Sequence, residues 1–271
     1  MSRFFCLSAF LVFCLVLSFT HPVFAEMQWP QEEHTVLSEN GMKAKISTGF
    51  DYSSGDYGAS EDTDILYIPV TGRLQKGNWT AKLTVSYISI KGPGAVVGNG
   101  DTTNGAGGTA VTTESGLGDV VGSVGYTFDL TPETYLDVTG KIKLPTADED
   151  KGLGTGETDY TVNTEITQEI GKAHVYGSAG YKFVGTNSTL NLDDSLILGV
   201  GAGTKIGEET TVGASYDWRE SASGGENPSE ASAYLSHNIT RQISAQVYGV
   251  TGFSDASPDL GGGMMIGYKF Y

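Results

Sequence analysis

Two cysteines, Cys6 and Cys14, are all this chain has, and both lie in its first 25 residues. Beyond that point there is no thiol for a disulfide, a redox step or a cysteine-held metal. Neither cysteine follows the small-residue pattern of a lipid-attachment site. Basic residues are scarce as well: 16 Lys and Arg stand against 32 Asp and Glu, a balance that disfavours nucleic acid as a partner. After residue 25 no apolar run approaches the roughly 20 residues of a membrane-spanning helix. Sustained 3.6-residue periodicity is also missing there, which disfavours an α/β enzyme.

The first 25 residues read as a secretory signal peptide. Arg3 precedes an apolar run from Phe4 to Phe19, and Pro22-Val23-Phe24-Ala25 precedes Glu26 as a cleavage site. Removing this segment takes one basic residue and no acid, so the remainder carries 15 basic and 32 acidic residues, a net charge of −17. Residues 26–40, which include Pro30 and His34 and show no alternation, are expected to form a periplasmic leader or a plug in a barrel mouth.

What is abundant is glycine, with 38 residues, and tyrosine, with 14. From Met42 onward the pattern changes to strict alternation. Met42, Ala44, Ile46, Thr48, Phe50 and Tyr52 interleave with Lys43, Lys45, Ser47, Gly49, Asp51 and Ser53, so an extended chain is apolar on one face and polar on the other. The same period recurs around 65–75, 79–90, 119–128, 135–144, 160–170, 173–183, 195–206, 210–219, 230–239, 242–253 and 261–271. The last of these ends on Tyr268-Lys269-Phe270-Tyr271. Between these segments short links alternate with long ones, the longest at 91–118 and rich in glycine. A soluble sandwich has no reason to keep that alternation, whereas a membrane barrel with short turns on one side and long loops on the other does. The expectation is an all-β fold: a transmembrane antiparallel barrel of about twelve strands over residues 41–271, in the bacterial outer membrane, with both termini periplasmic.

Three strings carry a resemblance to a known family: Gly116-Leu117-Gly118-Asp119-Val120, the run KLPTADEDKGLGTGETDY over 143–160, and Ser257-Pro258-Asp259-Leu260-Gly261-Gly262. In order and spacing they resemble the outer-membrane barrels labelled for the "MetA-pathway of phenol degradation", described as transporters or porin-like proteins. The resemblance covers most of residues 40–271. It implies a Gram-negative outer-membrane channel, with Tyr271 standing one residue beyond the Tyr-Lys-Phe ending usual in such chains.

Alternation assigns most basic residues to the lumen: Lys43, Lys45, Arg73, Lys82, Lys141, Lys143, Lys182, Lys205, Arg219 and Lys269. Asp51, Asp137, Glu165, Asp217 and Glu230 share that parity, so the lumen is expected to hold about five net positive charges. Such a lumen either passes anionic and polar solutes or is zipped shut by ion pairs. Tyr67, Tyr176, Tyr234 and Tyr248 also point inward by parity, where they stack an aromatic solute or pack the wall, and the alternate Gly199, Gly201 and Gly203 leave room opposite large side chains.

The acid runs Asp148-Glu149-Asp150 and Glu61-Asp62-Thr63-Asp64 lack an EF-hand spacing and read as solvated loops. No histidine pair has metal-ligand spacing, and no cofactor is implied. His174 shares a face with Ser178, but there is no G-x-S-x-G elbow, so a lipid hydrolase is a remote alternative.

The function expected is passive passage of small solutes, with aromatic or hydrophobic compounds as candidates; the rival is a non-conducting barrel that serves structure or surface interaction. Partners are outer-membrane lipid and lipopolysaccharide, the barrel-assembly machinery and a small-molecule solute. Tyr268, Phe270 and Tyr271 form the expected assembly signal, with Phe270 on the lipid-facing stripe. Deleting Tyr271 therefore leaves outer-membrane levels intact while Phe270→Ala lowers them, as measured by fractionation.

Overall fold

The computed structural model describes residues 41–93, 111–186 and 192–270. The expected signal peptide and leader, Tyr271 and most glycines of the 91–118 loop lie outside the described residues.

The strands are β1 (Met42–Gly55), β2 (Thr63–Lys76), β3 (Trp79–Gly92), β4 (Thr112–Leu117), β5 (Val120–Thr131), β6 (Thr134–Leu144), β7 (Asp159–Ile170), β8 (Ala173–Phe183), β9 (Ser195–Lys205), β10 (Thr210–Arg219), β11 (Ser229–Asn238), β12 (Ile243–Gly252) and β13 (Leu260–Phe270). All neighbours pair antiparallel, and β1 pairs with β13, from Ala44 opposite Phe270 to Ser54 opposite Leu260. That pairing closes the sheet into a barrel. β4 and β5 share one position: β4 pairs with the upper part of β3 and β5 with its lower part. The barrel thus has twelve strands, one of them interrupted.

The interruption corrects the sequence reading, which placed 91–118 entirely in a loop. Strand β3 runs on to Gly92 and β4 begins at Thr112. The break at Gly118-Asp119 hides β4 because it puts the alternation out of phase. Gly118 N donates to Ser86 O at 2.9 Å, so the ladder survives the break.

The rim that carries both described chain ends has the tightest turns. Gly77, at φ 55°, and Gly171, at φ 66°, supply the left-handed residues there. The other rim, here called the loop rim, carries the longer connections. Their one piece of helix among the described residues is a single 3-10 turn over Glu149–Lys151.

Burial is inverted relative to a soluble protein. Outward residues such as Phe50, Leu83, Val124, Val200 and Ile266 are exposed, while inward neighbours such as Ser47, Ser86, Ser123, Ser178 and Gln246 are buried. Polar side chains outnumber apolar ones in the interior. Outward aromatics gather towards both rims. Trp79 and Tyr126 meet edge-on at 4.9 Å, as do Tyr268 and Phe270, near the chain-end rim. Tyr181 and Phe183 do so at 5.0 Å near the loop rim. An apolar belt between two aromatic girdles is the surface a bilayer covers. Val200 lies in the middle of β9 and faces outward. Val200→Arg should therefore cost about 2–4 kcal/mol, read as a lower urea midpoint for unfolding from lipid bilayers.

Candidate functional site

The interior of the barrel holds the residues that parity assigned to it, in two different settings. Lys45, Lys143, Glu165, Arg219 and Tyr67 are buried; Lys43, Arg73, Lys82, Lys141, Lys182, Asp217, Lys269, Tyr176, Tyr234 and Tyr248 are half-buried. Lys205, expected inward, is exposed at the chain-end rim, where β9 ends. Tyr268 and Phe270 lie exposed on the outer face.

One wall, built from β8 to β13, combines inward rings with inward glycines. A Cβ on Gly201 would fall within the Tyr176 ring, one on Gly203 would meet the His174 ring and one on Gly213 would meet Tyr234. At Gly263 a Cβ would come within 2.8 Å of the Tyr248 hydroxyl. Each ring therefore lies sideways over a glycine of the adjacent strand and stays close to the wall. Tyr234 and Tyr248 are directly opposite in register. The Tyr248 hydroxyl donates to Asp51 Oδ2 on β1. Ser215 donates to Asp217 Oδ2 at 2.7 Å and meets Ser232 at 2.8 Å. Tyr67 does not join this wall.

Tyr67 belongs to an apolar cluster at the loop rim, with Tyr57, Ile65, Ile88, Ile90 and Leu153. Leu153 comes from the connection after β6, which the sequence assigned wholly to an outer loop. In the structure it turns into the mouth, and Leu153 retains 2% of its exposure. Burial among these side chains also raises the Tyr57 phenol above its ordinary pKa, since a phenolate there would be poorly solvated.

What ties the connection down is a buried ionic latch. Lys143 Nζ lies 3.0 Å from Asp119 Oδ2 and 3.3 Å from Asp159 Oδ2, and donates to Thr155 Oγ1 at 3.0 Å. Lys182 Nζ reaches Asp159 at 3.3 Å. Asp119 Oδ1 accepts the backbone N–H groups of Thr146 and Ala147, at 3.0 and 2.9 Å. Thus the break that hides β4 from sequence inspection also places Asp119 to cap the returning chain. Asp119 and Asp159 were missing from the sequence-based lumen count. With them counted, and with Lys205 exposed at the rim, the excess of inward positive charge falls from about five to about two.

Orphaned polar atoms complete the picture. Gln246 Oε1 and Nε2, Ser244 Oγ, Asn163 Oδ1 and Thr167 Oγ1 are buried without a hydrogen-bond partner in the protein. Among the described residues no group of three or more His, Cys, Asp or Glu is placed to hold a metal ion. His237 Nδ1 meets Thr210 Oγ1 at 2.9 Å, with His237 exposed near the chain-end rim.

No family model and no curated protein matches the chain by sequence. Solved structures do match it. The COG4313 outer membrane channel from Pseudomonas putida F1 is 12% identical, with TM-score 0.66 over 90% of this chain and 100% of that one. The NanC porin is 11% identical, with TM-score 0.55 over 83% and 99%. The translocator domain of the autotransporter NalP from Neisseria meningitidis is also 11% identical, with TM-score 0.51 over 86% and 90%. At these identities the likeness is one of fold, that of outer-membrane barrels.

The latch makes a sharp prediction. Lys143→Met leaves Asp119 and Asp159 facing each other with one cation fewer, and should cost about 3–5 kcal/mol in urea unfolding from detergent micelles. Asp148→Asn, which loosens only the exposed 3.9 Å contact with Lys151, should change stability by less than about 1 kcal/mol.

Proposed function

We propose that the protein is a porin-like channel of the bacterial outer membrane for passive passage of small solutes, with its chain ends periplasmic and its longer connections outside. The single observation that carries this reading is the polar, charged interior of a closed barrel, in which several buried amide and hydroxyl groups lack protein partners. Such groups are satisfied by water. A twelve-strand barrel is wider than the eight-strand barrels whose side chains fill the interior, and narrower than the sixteen-strand porins. Aromatic solutes suit the wall of Tyr176, Tyr234 and Tyr248, whose rings lie over glycines of neighbouring strands. No catalytic step is part of this function.

A second reading, a non-conducting structural or surface-interaction barrel, draws on the apolar cluster around Leu153 and the Lys143 latch, which occupy the loop rim. Liposome swelling separates the two. Proteoliposomes should swell in sugars, amino acids and phenols, and Gly213→Val, which pushes the Tyr234 ring off the wall, should slow phenols more than it slows glycine. Equal slowing of all solutes would remove the aromatic wall from the account, and no swelling in any solute would favour the non-conducting barrel.

A further inference from the structure

The register between strands sorts the lumen charges into rows. Read perpendicular to the strands, one row passes from Lys269 on β13 to Lys45 on β1, Arg73 on β2 and Lys82 on β3. It continues through Ser123 to Lys141 on β6, and through Thr161 to Lys182 on β8. Six of its eight members are cations, four of them on successive strands. A second row starts at Asp137 on β6 and passes to Glu165 on β7, then through Ser178 and Gly199 to Asp217 on β10 and Glu230 on β11. All of its charged members are acids.

This segregation is not what a barrel zipped shut needs. Opposite charges directly across a strand pair stabilise it and like charges oppose it, so an interior organised for closure alternates sign from strand to strand. Here Lys45 faces Lys269 on one side and Arg73 on the other, and Asp217 faces Glu230. The fold carries that repulsion along both rows.

Strand tilt gives the rows their direction. In a closed barrel the strands incline to the axis, so a line perpendicular to them climbs as it goes round. Lys269 stands next to the last residue of β13 at the chain-end rim, and Lys182 next to the last residue of β8 at the loop rim. The cation row therefore runs the length of the lumen as a rising track. Neighbouring strands lie about 4.8 Å apart, so two adjacent cations of the row can hold two carboxylates of one solute. The row's lysines already engage neighbouring groups, Lys182 among them through Asp159. A passing anion exchanges one partner for another, which keeps each stop shallow enough to leave. The acidic loops outside act over only about 8 Å at physiological ionic strength.

We propose that this row is the conduction path for small organic anions bearing two or more carboxylates. The proposal rests on the channel reading and names its solute class. Its test uses the full chain in planar bilayers, with reversal potentials in a KCl gradient and current block by citrate, succinate and acetate. The wild type should show an anion-signed reversal potential and be blocked by citrate at lower concentration than by acetate. The triple variant Lys45→Gln/Arg73→Gln/Lys82→Gln should lose both properties, and Lys45→Arg/Lys82→Arg should keep both. Folding of each variant is checked by heat-modifiable migration. If the triple variant does not fold, Arg73→Gln alone must still shift the reversal potential towards zero. Conductance without anion preference, equal block by citrate and acetate, or unchanged selectivity in the folded charge-removing variant would each overturn the track while leaving the channel standing. No conductance at all would overturn the channel, and the track with it.

Discussion

Everything in this structure depends on the pairing of the first strand with the last. Eleven register pairs between β1 and β13 leave neither of these strands with an open edge, and in a bilayer an open edge would expose unpaired backbone groups that hydrocarbon cannot satisfy. Closure also fixes the two faces. Once the sheet has an inside and an outside, every residue of odd or even parity is committed to one of them, and a slip of one residue in any strand would send its whole apolar stripe inward.

From that commitment the rest follows. The apolar stripe faces out, with Trp79, Tyr126, Tyr181, Phe183, Tyr268 and Phe270 towards the two rims. Inside, glycine and tyrosine work as a pair: a ring on one strand takes the space a neighbouring strand gives up by carrying no side chain. Large side chains can then lie along the barrel wall over these glycines. At the loop rim the balance tips the other way, and Lys143 with its two carboxylates draws a connection inward until Leu153 packs on β2 and β3.

How much of this was legible in the sequence varied with the range over which it is encoded. Alternation is local, so the strands, their number and the inward parity of residues such as Lys45 and Tyr234 could be read directly. The β4 segment could not, because Gly118-Asp119 interrupts the period. Nor could the inward course of 145–158, which is polar, rich in glycine and without periodicity; the buried role of Leu153 is set by side chains about 60 to 100 residues earlier in the chain. A signal was present nonetheless: Asp119 and Asp159 lie within two of the three strings that carried the family resemblance. The charge rows were out of reach for a different reason. Parity says which face a lysine takes, but only the register between strands says which lysine stands opposite which.

An inside-out barrel with water in its lumen is tested most directly by two adjacent residues of β11. Tyr234 faces inward and Leu235 outward, and residues 26–271 contain no cysteine to interfere. Single Tyr234→Cys and Leu235→Cys variants in lipid vesicles would be exposed to a charged, membrane-impermeant thiol reagent. Rapid modification of the first and protection of the second is the result expected; modification of the Leu235→Cys variant with protection of Tyr234→Cys would contradict the central claim.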